Sequence, residues 1–228
     1  MDKNNCWLIG DKKSCNQKDC SSSFCMKFLK LNYLYEESFI PFNCRKHKNL
    51  VLDKDNKDLE AFKRLFNIEQ DIVNFVNDGY NLFLHSNNTG NGKTSWALRL
   101  AQAYLNIIWK DSALKCRVLF INVPRFLIAL KDNISDKQEY ITKIKENVYS
   151  CDLVIWDDVG TKAATSFEAE NLLSLIDSRI NYNKSNIFTS NLNSNEIHNY
   201  FGDRLASRIV NNSVDIELFG KDKRGLKI

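Results

Sequence analysis

No apolar run in this 228-residue chain approaches the ~20 residues that a membrane-spanning helix needs. The opening residues, Met1-Asp2-Lys3-Asn4-Asn5-Cys6, lack the basic-then-apolar pattern of a secretion signal. A cytoplasmic location is therefore expected, bacterial or that of a host if the chain is phage-encoded. No internal repeat and no low-complexity tract is visible, which sets aside stacked-repeat architectures. Charge of one sign is in short supply too: 32 basic against 28 acidic residues leave a net charge of +4. That balance is compatible with nucleic acid but equally with an evenly solvated surface. What remains is a globular composition, 43% hydrophobic and 26% charged, long enough for one ordinary core and a small appendage.

The seven cysteines are unevenly placed, five of them within the first 44 residues. Cys116 and Cys151 lie alone beside apolar runs and read as buried, inert thiols. Cys6, Cys15, Cys20 and Cys25 suggest a four-thiolate zinc site, with Cys44 or His47 as substitutes, because a reducing compartment disfavours structural disulfides. An iron–sulfur cluster and free thiols in a flexible tail are the alternatives. A short segment rich in Ser and Lys has little apolar surface to bury, so a metal would contribute folding free energy directly.

Residues 1–50 read as a Cys-rich module, 51–58 as a charged linker and 59–228 as the main domain. Within the main domain, residues 59–78 follow helical spacing, with Gly79 ending the helix. Short apolar runs at Leu82–Leu84, Val118–Ile121, Leu153–Trp156 and Ile187–Thr189, with a weaker one at Asp215–Leu218, alternate with helical stripes. That alternation predicts an α/β fold with a parallel five-stranded sheet covered on both faces.

The strongest chemical signal falls between the first strand and the next helix. Asn88, Thr89, Gly90, Asn91, Gly92, Lys93 and Thr94 follow the phosphate-binding pattern, except that its first glycine is Asn87. Asparagine tolerates left-handed backbone angles better than most residues. Gly90 and Gly92 let the loop turn its amides toward phosphate, and the helix N-terminus adds partial positive charge. Lys93 would reach the β- and γ-phosphates and the Thr94 hydroxyl would ligate magnesium. An ordinary glycine-containing turn is the competing reading.

Leu153–Trp156 runs into Asp157 and Asp158. In P-loop enzymes a strand of this kind lies beside the P-loop strand, its first acid holding magnesium and its second orienting the attacking water. Asp158 is one methylene shorter than the glutamate common at that place. Ile187–Thr189 ends in Ser190 and Asn191. In ATPases with an extra strand between the two motif strands, a polar residue there contacts the γ-phosphate, and Asn191 is the first candidate, ahead of Thr189 and Ser190. Arg204 and Arg208 share one helix face. A solvated surface is the plain reading of that face, and a neighbour's γ-phosphate is the other. Arg224, in a basic tail, could reach nucleotide in its own subunit.

Taken together, Asn88–Thr94, Asn122–Leu127, Val154–Gly160, Phe188–Asn191 and Gly202–Ile209 resemble the AAA+ ATPases of the DnaC/DnaI type, the bacterial and phage loaders of replicative helicase. The resemblance covers residues ~60–228 and implies ATP and Mg2+ as cofactors. It also implies Asn191 as γ-phosphate sensor, Arg208 as an arginine finger acting in trans with Arg204 beside it, and Arg224 as a second sensor. It further implies an ATP-dependent oligomer, a replicative hexameric helicase as partner gripped by the N-terminal module, and single-stranded DNA, for which Lys131, Lys137, Lys143 and Lys145 are candidate phosphate contacts. Zinc-binding N-terminal modules occur in some loaders of this type. A transposition helper ATPase and a weakly hydrolysing, helicase-sequestering adaptor are the alternative functions.

Overall fold

The computed structural model describes residues 6–8, 15, 25–46, 50, 52, 57–132, 139–161 and 164–223. Strands β1 (Asn81–His85), β2 (Val118–Asn122), β3 (Leu153–Val159), β4 (Ser185–Ser190) and β5 (Ser213–Glu217) form one sheet in the order β2-β3-β4-β1-β5, every pairing parallel. The acidic strand β3 therefore does not lie beside the P-loop strand β1; β4 stands between them. The expected extra strand is β4.

Helices cover both faces. Leu82 and Leu84 of β1, Ile155 of β3 and Ile187 of β4 join one core cluster, while Phe83, Val154, Trp156 and Phe188 join the other. Burial of alternate residues on opposite faces is why these strands read as continuous apolar runs instead of an apolar–polar alternation. The first face is covered by α1 (Met26–Glu37), α2 (Leu59–Gln70), α3 (Ile72–Asn77) and α4 (Lys93–Ile108), the second by α5 (Val123–Asp132), α6 (Glu139–Ser150), α7 (Ser166–Asn181) and α8 (Ser194–Val210). Both α7 and α8 begin with reciprocal capping boxes, Thr165 with Glu168 and Asn193 with Glu196, which satisfy backbone donors that a helix start leaves open. No helix among the described residues is long and apolar enough to cross a membrane.

Three expectations are corrected. The helix predicted over 59–78 is two helices, broken at Asp71 (φ −111°, ψ 26°), because the apolar stripe runs on through the break and hides it. The last strand starts at Ser213, two residues before the predicted Asp215. It is an edge strand, paired on one side only, and its half-exposed residues weaken the apolar signal. The N-terminal segment is also less poor in buried apolar surface than its composition implies. Trp7, Leu8, Leu31, Leu34, Tyr35 and Ile40 are buried in the same cluster as β1 and α4, Trp7 packs edge-on to Tyr35 at 5.0 Å, and Phe120 N–H of β2 donates to Ser38 O at 2.9 Å. Apolar burial against the sheet anchors this segment.

Candidate nucleotide site

The loop between β1 and α4 turns at two positions where the left-handed region is needed: Gly90 (φ 71°) and Gly92 (φ 108°). Among the described non-glycine residues only Phe39, Asp158 and Asn183 have positive φ. Asn87 therefore makes no use of the backbone freedom that a glycine in its place would supply, so the missing first glycine costs this loop no strain. Lys93 folds back into the loop, its Nζ 2.8 Å from Asn88 O and 3.3 Å from Asn91 Oδ1. These carbonyl contacts keep a buried ammonium solvated by protein. Phosphate oxygens arriving in the loop would replace them.

Thr94 is the second residue of α4, and its hydroxyl donates to Asp157 Oδ1 at 2.8 Å across the width of β4. Thr189 of β4 donates to the same oxygen, also at 2.8 Å, and accepts from Asp158 N–H at 3.0 Å. The β3–β4 register shifts between Trp156 and Val159, and within that irregularity Asp158 has φ 59°. A non-glycine residue held in the left-handed region costs on the order of 1 kcal/mol or more and persists where its surroundings fix it; here Thr189 does so. The bulge turns two successive carboxylates toward the P-loop end of the sheet. Asp158 then lines a cavity of about 150 Å³ together with Gly90, Gly92, Lys93, Thr94 and Asn191.

Burial, and then the neighbouring Asp158 charge, raise the carboxyl pKa of Asp157; hydrogen bonds from Thr189 and Thr94 oppose the rise. A carboxylate in that position favours a cation beside it. Thr94 Oγ1 and Asp157 Oδ1 already converge, so these residues fit Mg2+, the ion that would neutralise phosphate charge here.

The structure thus brings together Gly90, Asn91, Gly92, Lys93, Thr94, Asp157, Asp158 and Asn191. Of the β4 candidates, Thr189 touches both acids while Asn191 stands at the cavity wall. Asn122 is a residue that sequence reasoning passed over as a site group: it pairs with Asp157 in register, and its side-chain amide reaches 3.5 Å from Asp158 Oδ2. Its place at the end of an apolar strand was the available signal. Arg208 is not in this group. It sits at the other end of α8, its guanidinium 2.5 Å from Asp177 Oδ1 on α7, and Arg204 is exposed nearby. Gly202 (φ 74°) bends α8 just before them. Arg224 lies outside the described residues, as do Cys20, His47 and Lys137. Lys131 pairs with buried Glu168 at 3.1 Å and Lys143 with Glu37 at 3.1 Å.

The zinc expectation finds no fit among the described residues. Cys6, Cys15, Cys25 and Cys44 are free, and no group of three or more metal-ligating side chains gathers there. Cys6, Cys15 and Cys44 pack against the apolar core, and the Cys25 thiol accepts from Phe28 N–H at the start of α1.

A five-stranded parallel sheet with this strand order, a P-loop after β1 and paired acids on β3 define a P-loop ATP-binding protein with an AAA+ core. The chain belongs to the family of IstB-like ATP binding proteins, whose model matches residues 54–215. Among solved structures, the DnaC helicase loader aligns with a TM-score of 0.58 at 20% identity, over 70% of this chain and 89% of that one. DnaI aligns with a TM-score of 0.59 at 19% identity, over 79% and 95%. AMPPCP-bound DnaA from Aquifex aeolicus aligns with a TM-score of 0.54 at 22% identity, over 75% of this chain and 50% of that one. At these identities the likeness concerns the fold. A search among curated proteins finds no match.

Proposed function

We propose that this protein is an ATPase that loads a replicative helicase onto single-stranded DNA and assembles with copies of itself when ATP is bound. The observation that carries the reading is a charge mismatch. Among the described residues, those lining the cavity include Lys93 but no arginine, while Arg208 stands at the far end of α8. A triphosphate at this site needs a further cation during hydrolysis, and an arginine from a neighbouring subunit is suited to supply it. Lys93 holds the phosphates, Thr94 and Asp157 hold magnesium, Asp158 orients the attacking water and Asn191 contacts the γ-phosphate. Arg208 acts in trans with Arg204 beside it, and Arg224 is a second sensor. Residues 1–50 serve as the helicase-gripping segment, 51–58 as its link to the ATPase domain. The DnaC and DnaI likenesses support this assignment at the level of fold.

Two measurements test it. Purified protein is expected to retain its cognate replicative helicase in a pull-down with ATP; no association sinks the loader reading. Phosphate release stimulated by single-stranded DNA is expected in the wild type and lost in both Lys93→Ala and Arg208→Ala. An absence of turnover in the wild type would favour the sequestering adaptor. A transposition helper ATPase is the second reading, because the matching family is named for an IstB-like ATP binding protein and not for a helicase partner. Helicase binding separates the two.

A further inference from the structure

Asp58 stands immediately before α2, where an aspartate would ordinarily cap its own helix. It does not: its side chain makes no cap hydrogen bond. The carboxylate is fully buried and faces the C-terminal end of the chain, accepting Phe219 N–H at 2.6 Å and Gly220 N–H at 3.0 Å. The carbonyls of those same two residues accept the Asn88 side-chain amide at 3.1 and 3.3 Å. Asn91 Nδ2 donates to Leu218 O at 3.2 Å, and Lys223 N–H donates to Gly90 O at 2.9 Å. Residues 218–223 therefore form a strap gripped on one side by Asp58 and on the other by the phosphate-binding loop. The strap also crowds the loop. A methyl group on Gly90 would fall 1.8 Å from Oδ1 of the exposed Asp222 side chain, which would have to swing aside, while the φ of 71° is what demands glycine here.

We propose that Asp58 is a positioning residue for nucleotide binding, acting through the 218–223 strap on Asn88, Asn91 and Gly90 of the P-loop. The inference deepens the reading of residues 87–94 as a nucleotide site and rests on it. The physical argument is preorganisation. A P-loop binds phosphate with backbone amides whose directions must be fixed before the ligand arrives, and ordering them afterwards weakens affinity. Most P-loop turns rely on glycine for their shape; here two asparagine side chains tie the loop to a strap, and a buried carboxylate holds that strap at two consecutive amides. An ionised acceptor makes stronger hydrogen bonds than a neutral one, so Asp58 is the anchor of the arrangement. The strap is in turn where nucleotide occupancy would be felt by α2, since Asp58 leads directly into that helix.

The test uses the full-length protein and a fluorescent ATP analogue with magnesium. Asp58→Asn keeps one acceptor but turns an amide donor toward a backbone N–H. It is expected to weaken binding about tenfold, the scale of one lost charge-assisted hydrogen bond. Asn88→Ala is expected to weaken binding through the same path, so the double variant should be no weaker than the weaker single one. Affinity within twofold of wild type for Asp58→Asn, or strictly additive losses in the double variant, would overturn the proposal. Hydrogen exchange on the wild type needs no variant to fold: the amides of Phe219 and Gly220 should become more protected when nucleotide binds, and unchanged exchange there also overturns it. A wild type that binds no nucleotide would bring down the site assignment itself, a result distinguishable from tight wild-type binding with an indifferent Asp58→Asn.

Discussion

The two ends of the sheet each bury a charge, and they treat it in opposite ways. At the end where the strands begin, Arg179 of α7 is almost completely enclosed and donates to Val148 O, Cys151 O, Asp152 O, Ser185 O and Asn186 Oδ1. Asn186 accepts Trp156 Nε1–H at 3.0 Å and donates to Asn81 Oδ1 at 2.9 Å, tying β1, β3 and β4 together. At the end where the strands finish, Asp157 is nearly as buried but receives hydroxyl groups and an adjacent negative charge, and among the described residues no salt bridge to it is formed. A buried charge surrounded by complete hydrogen bonding is a structural clamp; one left with incomplete compensation is a place prepared for a ligand.

Replacing Arg179 by Leu should break this contrast most severely. Four backbone carbonyls would lose this donor at once, while Asn186 Oδ1 keeps Trp156 Nε1–H, and each buried unsatisfied group costs roughly 1–3 kcal/mol. A destabilisation above about 4 kcal/mol in urea unfolding is expected, and a loss under about 1 kcal/mol would deny the clamp. A smaller effect is expected from Thr189→Val, which keeps the shape and removes the hydroxyl joining Asp157 to the Asp158 amide. Turnover should fall about tenfold and stability by roughly 1–2 kcal/mol, since the two hydrogen bonds of this hydroxyl are opened; unchanged turnover would mean that the bulge holds Asp158 unaided. The smallest effect has the opposite sign. Asp157 has a folded-state pKa above its unfolded one, so its ionisation disfavours folding, and stability falls as pH rises from the unfolded value through the folded value. Asp157→Asn removes that charge while keeping an acceptor for both threonines. The nucleotide-free variant should melt a few degrees higher at neutral pH, by about 1 kcal/mol, while magnesium-dependent nucleotide affinity is lost. A lower melting temperature would show that the carboxylate is already compensated.

The site was legible where chemistry is local in sequence. Lys93 and Thr94 follow the loop glycines directly, and Asp157 follows an apolar run, so pattern and placement coincide. The sheet was legible because burial on both faces writes itself as unbroken apolar runs. What escaped is non-local or small. Asp58 meets Phe219 across 161 positions, and nothing around an aspartate before a helix distinguishes an anchor from a cap. Thr189 ranked below Asn191 because a side chain's reach depends on the bulge opposite, which only the paired register reveals. The Asp71 break stayed hidden for want of a proline or glycine to mark it.

The insertion of β4 between β1 and β3 sets a gauge. Two inter-strand spacings of ~4.8 Å separate the strand that leads into the P-loop from the strand that carries the acids, and the Thr94 hydroxyl spans that width. A β4 displaced by one residue would send Thr189 to the opposite face of the sheet, leaving every backbone ladder intact and the two halves of the site out of reach of each other. The alignment of this middle strand, whose own side chains supply neither the lysine nor the acids, is thus a tolerance on which the whole nucleotide site is machined.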